Sequence, residues 1–146
     1  MNSSEIEILL VEDNPSDVEL TLHALRHNCV VNRIHVARDG AEALEFVFPR
    51  ETHEGPSLLE RPKIILLDLK LPNVDGLEVL RSIKSNDATK LVPVVMLTSS
   101  KEEIDLISGH QLEVDSYMQK PVDFAQFRET VRHLGLYWML VNEPLY

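Results

Sequence analysis

The side chains able to do chemistry stand at the ends of short apolar runs. Glu12 and Asp13 follow Ile6–Val11, Asp68 lies in Lys63–Leu69, Thr98 closes Val94–Thr98, and Lys120 follows Val114–Gln119. Taken singly they are ordinary. An acid after an apolar run most often caps a helix, Thr98-Ser99-Ser100 resembles a cap cluster, and a lysine before a proline is usually solvated. Together they are three carboxylates, a hydroxyl and an ammonium. Two carboxylates ~5 Å apart repel by about 3 kcal/mol at an effective dielectric of ~20. Three gathered at one place therefore need a cation, or one must hold a proton. Oxygen ligands with room for a phosphate suit magnesium. Three carboxylates, one Mg²⁺ and one lysine sum to zero charge.

The elements that must carry these residues alternate along the chain. The apolar runs Ile6–Val11, Arg33–Ala37, Lys63–Leu69, Val94–Thr98 and Val114–Gln119 are expected to be buried strands. Between them lie helical patterns. Asn14 or Ser16 caps a helix striped by Val18, Leu22 and Leu25, and Asp39-Gly40 opens a second through Ala43, Leu44 and Val47. Val74-Asp75-Gly76 leads into Leu77, Leu80 and Ile83, and Ser99 to Glu103 carries a capping-box signature. A last helix is expected from Asp123 to about Val141, and Pro49–Pro62 is a long loop. Continuous apolar strands separated by helices imply parallel βαβ units with right-handed crossovers, hence an open doubly wound α/β sheet. Its functional crevice lies beyond the carboxyl ends of the strands, where the five polar residues stand.

The 146 residues make one domain, and 44% hydrophobic content is enough for a core. The net charge of −10 opposes nucleic acid and anionic lipid as partners. The longest apolar runs, Ile64–Leu67 and Val94–Leu97, are too short for a membrane. The amino terminus lacks a signal-peptide pattern, and a lone Cys29 fits a reducing cytoplasm. Cys29 itself suits a helix end or core position. Of the six histidines (His23, His27, His35, His53, His110, His133), only His23 and His27 share an i, i+4 spacing. A surface helix explains that pair better than zinc does, and the pair could border a docking surface.

Four segments carry a resemblance: Leu9-Leu10-Val11-Glu12-Asp13-Asn14-Pro15, Leu67 through Gly76, Leu97-Thr98-Ser99, and Tyr117-Met118-Gln119-Lys120-Pro121-Val122-Asp123. In order and spacing they resemble the receiver domain of two-component response regulators, over nearly the whole chain. The resemblance implies a flavodoxin-like (βα)5 fold with a five-stranded parallel sheet in the order 2-1-3-4-5. It implies that Asp68 is the nucleophile accepting a phosphoryl group from a histidine kinase or phosphotransfer protein. Asp13 would ligate Mg²⁺, with Glu12 directly or through water, Asp68, and the backbone carbonyl of Lys70. Thr98 would hydrogen-bond one phosphoryl oxygen and Lys120 would pair with another. Tyr117 matches the aromatic switch that follows Thr98, and Lys120–Pro121 matches a cis peptide bond. The protein would then be a phospho-acceptor signalling protein that catalyses its own phosphotransfer and dephosphorylation. Two departures stand out. Glu113-Val114 replaces a Gly-Ala pair, and Lys70 places a cation where the family tunes the phosphate lifetime.

Other readings meet specific obstacles. A flavodoxin-type nucleotide site needs N–H donors after the first strand, where Glu12-Asp13-Asn14-Pro15 offers acids and a proline. A haloacid-dehalogenase-type phosphatase needs an acid two residues after its nucleophile, where Lys70 stands. A degenerate scaffold receiver would lack site residues, and all are present.

The receiver core is expected at about 5–134, with a helix extension and tail at about 135–146. No effector domain fits in that remainder, so output by protein–protein contact or phosphorelay is expected. The stand-alone architecture, the Pro49–Pro62 loop and Asn142-Glu143-Pro144-Leu145 resemble the single-domain partners of cyanobacterial-type phytochrome histidine kinases. On the last helix Phe124, Phe127, Val131, Leu134, Trp138 and Val141 form a core-facing stripe. Leu136, Tyr137, Met139 and Leu140 lie off it, and Leu145 and Tyr146 add apolar surface, so a homodimer through this segment is expected.

Overall fold

The computed structural model describes residues 8–26, 33–48, 62–71, 74–109 and 114–135. Five strands alternate with five helices: β1 (Ile8–Val11), α1 (Pro15–Arg26), β2 (Ile34–Ala37), α2 (Gly40–Val47), β3 (Ile64–Asp68), α3 (Gly76–Ser85), β4 (Val94–Thr98), α4 (Lys101–Gly109), β5 (Ser116–Gln119) and α5 (Phe124–His133). All strand pairings are parallel, in the order β2-β1-β3-β4-β5. The expected fold class and strand order are the ones observed.

Strand side chains alternate between two cores. Ile8, Leu10, Ile64, Leu66, Val95 and Leu97 pack with Val18 and Leu25 of α1 and Phe127 and Val131 of α5. Leu9, Val11, Ile65, Leu67, Val94 and Met96 pack with Ala43 and Val47 of α2 and Val79, Leu80 and Ile83 of α3. β1, β3 and β4 are buried throughout, which is why they read as unbroken apolar runs. The register then lines up the strand ends: Val11 opposite Leu67, Asp68 opposite Leu97, and Thr98 opposite Gln119.

Caps set the helix starts at this same edge. The Asn14 carboxamide oxygen accepts from the N–H groups of Ser16 (2.8 Å) and Asp17 (3.1 Å), so Asn14 is the cap and Pro15 takes the first helical position. Asp39, Asp75 and Asp123 cap α2, α3 and α5 in the same way.

One expectation is corrected. The final helix does not run to Val141; it ends at His133, and Gly135 turns the chain with φ 78°. The apolar stripe continues in sequence past Gly135, but a glycine in the left-handed region is a helix stop that periodicity does not register. Cys29, His27, His53, His110, Glu113, the greater part of the Pro49–Pro62 loop, and the dimer candidates Leu136, Tyr137, Met139, Leu140, Leu145 and Tyr146 lie outside the described residues.

Candidate functional site

Four strand ends and the first turn of α1 converge on Lys120. Its ammonium donates to Glu12 Oε1 at 3.3 Å, Asp68 Oδ2 at 3.3 Å and Asp17 Oδ2 at 3.1 Å. Three N–H groups meet three carboxylates, and the cation is saturated. Glu12, Asp13 and Asp68 each offer an oxygen within 4.8 Å of the others. Glu12 and Asp68 are buried, at 1% and 4% exposure, while Asp13 faces solvent. The cluster is therefore closed on the protein side and open at Asp13.

Burial dominates the titration. It pushes Glu12 up from an ordinary 4.5 to about 7, and the Asp68 charge adds to the rise. Burial also raises Asp68, against the opposing pull of Lys120. For Lys120 burial works downward, but the hydrogen bond to Asp17 and the charges of Asp68 and Glu12 outweigh it and raise its pKa. One ammonium does not neutralise this set of acids. Oxygens alone, crowded and partly held toward the protonated form, fit a hard divalent cation.

Thr98 is fully buried beside this cluster, and its hydroxyl has no hydrogen-bond partner among the described residues. An unsatisfied buried hydroxyl costs about 1–3 kcal/mol, which an incoming oxygen could relieve. The loop after Thr98 is held by Glu103 of α4, whose carboxylate accepts the Ser99 N–H at 2.8 Å and pairs with Lys70 Nζ at 3.2 Å. Burial pushes Glu103 up, yet the Ser99 N–H and Lys70 prevail and keep its carboxyl below the usual value. The Lys70 side chain thus leans to α4 and is largely exposed, while its N–H lies 3.4 Å from Asp68 Oδ1.

The loop carrying Lys120 is fastened twice. The Lys120 N–H donates to the Thr98 carbonyl at 2.8 Å, and Gln126 of α5 bonds the Gln119 N–H and the carbonyls of Gln119 and Pro121. The Lys120–Pro121 peptide is cis. Tyr117 is half-buried against the α2/α3-side core.

Glu12, Asp13, Asp68, Thr98 and Lys120 are brought together here; Tyr117, opposite Met96, stands two residues inside the edge marked by Thr98 and Gln119, and Lys70 enters through its backbone. Sequence reasoning missed Asp17, and it read Glu103 as the acid of a capping box, which accepts the Ser99 N–H as expected, but not as the partner of Lys70. Asp17 was legible in one respect: with Asn14 as cap, it falls in the first turn of α1, at the carboxyl edge of the sheet.

A model of the response regulator receiver domain matches residues 8–132. FilR2 of Methanothrix harundinacea, a probable methanogenesis regulatory protein, is 39% identical, with 90% of this chain and 83% of FilR2 covered. Rcp1 of Synechocystis sp., a response regulator, is 36% identical, with 90% of this chain and 88% of Rcp1 covered. The crystal structure of its Mn²⁺-bound form aligns with a TM-score of 0.68 over 95% of this chain and 99% of that one. The bacteriophytochrome response regulator AtBRR is 49% identical, with a TM-score of 0.83 over 96% of this chain and 99% of its own.

Proposed function

The chain belongs to the response regulator receiver family, and from that premise we propose that it accepts a phosphoryl group on Asp68 from a histidine kinase, in a Mg²⁺-dependent reaction. The observation that carries this reading is the convergence of the Asp68, Glu12 and Asp13 oxygens within 4.8 Å, with Lys120 3.3 Å from Asp68. Magnesium bound by Asp13, Asp68, Glu12 and the Lys70 carbonyl would draw charge from the transferring phosphoryl group. Asp68 supplies the nucleophilic oxygen: its new O–P bond forms as the P–N bond of the donor phosphohistidine breaks, and the imidazole leaves. Lys120 pairs with one phosphoryl oxygen and the Thr98 hydroxyl donates to another. Lys120 at 3.3 Å from Asp68 and the Thr98 hydroxyl, buried without a partner among the described residues, support these roles. Hydrolysis of the acyl phosphate on the same chain resets it.

Similarity to AtBRR and Rcp1 supports a phytochrome-type kinase as the donor. Output then passes through protein–protein contact or phosphorelay, with Thr98 and Tyr117 as the responsive pair. The apolar residues beyond Gly135 support a homodimer, and the single cysteine supports a cytoplasmic setting. No helix among the described residues is long and apolar enough to cross a membrane.

Acetyl phosphate with Mg²⁺ tests the core of this reading. Wild-type protein takes up label, while Asp68→Asn and wild-type protein in chelator do not. Label on Asp68→Asn at the wild-type rate would assign the acceptor elsewhere, and undiminished uptake in chelator would remove the metal from the mechanism.

A further inference from the structure

Lys120 has one more acidic partner than the receiver motif supplies. Its shortest carboxylate distance is to Asp17, 3.1 Å, against 3.3 Å to each of Glu12 and Asp68. Asp17 is held from below, since its own N–H donates to the Asn14 cap. The three acceptors of the ammonium are not equivalent. Glu12 and Asp68 belong, with Asp13, to the oxygens that close within 4.8 Å of one another, and Asp17 stands outside that group. When Glu12 and Asp68 turn to a metal and to the phosphoryl group, Asp17 is the acceptor left to hold Lys120.

We propose that Asp17 is a positioning residue: it fixes the Lys120 ammonium at the flank of the site, so that the cation meets the phosphoryl group without drawing Glu12 away from the metal. The proposal rests on Asp68 being the acceptor. Without Asp17, the freed N–H falls back on the buried Glu12 and Asp68, both 3.3 Å away, and competes with the metal for their oxygens. An unpaired donor in a partly buried site does not stay unpaired.

A double-mutant cycle decides between this role and a simple effect of charge. A carboxylate acting through space alone changes the site by the same factor with or without Lys120, because pairwise Coulomb energies add. A carboxylate acting through Lys120 loses its effect when Lys120 is gone. Labelling rate with acetyl phosphate at sub-saturating Mg²⁺, and Mg²⁺ affinity by titration calorimetry, are measured for wild type, Asp17→Asn, Lys120→Ala and the double variant. The loss caused by Asp17→Asn is expected to be about tenfold greater with Lys120 present than without it, the usual size of coupling between contacting groups. Asp17→Glu, which keeps the carboxylate, recovers most of the loss, and all variants retain the wild-type melting temperature within a few degrees. Equal factors in both backgrounds, or no loss with Asp17→Asn, overturn the proposal. If wild-type protein takes no label at all, the acceptor reading fails by itself, and the calorimetric cycle still decides whether Asp17 acts through Lys120.

Discussion

At the scale of single residues, the site holds acids in a state that favours folding only while they are protonated. An acid whose pKa is raised by folding contributes stability that is full below its unfolded value and is lost as pH rises through its folded one. For Glu12 that window runs from 4.5 to about 7. Across it the metal-free protein should lose stability on the order of 3 kcal/mol from Glu12, with Asp68 shifted in the same direction. Thermal unfolding in chelator from pH 4.5 to 8 should show this decline in wild type and a flatter curve in Glu12→Gln. Millimolar Mg²⁺ should restore stability most at the alkaline end, where the carboxylates it binds are already charged. Parallel curves for the two proteins would mean that Glu12 ionises in the folded state as freely as in the unfolded one. That Asp68, Asp13 and Glu12 gather at one edge was legible because acids at the ends of buried strands have few ways to be accommodated. The pairing of Lys70 with Glu103 was not, because a long side chain chooses its partner by reach and rotamer.

At the scale of elements, the turn that follows β3 is set by contact with the backbone of Asp68 and Leu69. The Gly76 N–H donates to the Leu69 carbonyl at 3.1 Å, and α3 begins there. A Cβ at Gly76 would collide with the Asp68 carbonyl oxygen and come within 2.7 Å of the Leu69 carbonyl oxygen. Both obstacles are backbone, so the strand end or the helix must move. Gly76→Ala should cost about 1–3 kcal/mol, as overpacking does, and should slow labelling by displacing Asp68. A variant with native melting temperature and native rate would show that the turn yields without shifting Asp68. Strand positions were readable to within about two residues from apolar runs, since strands buried on both faces admit little else. The end of α5 was not, because the apolar stripe passes through Gly135 without a break and only backbone conformation marks the stop.

At the scale of the molecule, the apolar composition of the segment after α5 bears on assembly. Leu136, Tyr137, Met139, Leu140, Leu145 and Tyr146 place apolar side chains beyond the glycine that ends the helix. A symmetric pair sharing one such patch is the commonest way to cover it. Light scattering on the full-length protein should report a dimer, and on protein cut after Gly135 a monomer. A monomeric full-length protein, with and without phosphate, would place those residues against their own domain.

The sequence by itself determined the order of strands and helices, the doubly wound class and the edge at which the acids gather. Each follows from local rules: unbroken apolar runs become buried strands, polar residues survive only at their ends, and Asn14, Asp39, Asp75 and Asp123 start the helices. Only the tertiary structure decided which oxygens the Lys120 ammonium would serve. Asp17 and Lys120 are 103 residues apart in sequence, and nothing periodic links them. Their meeting depends on the register of β5 against β4, on the cap that sets where α1 begins, and on the clamp of Gln126 on the Lys120 loop. Thr98 is the same case: its type was legible as a cap or a ligand, but its buried hydroxyl, unpartnered among the described residues, exists only once the strands around it have closed.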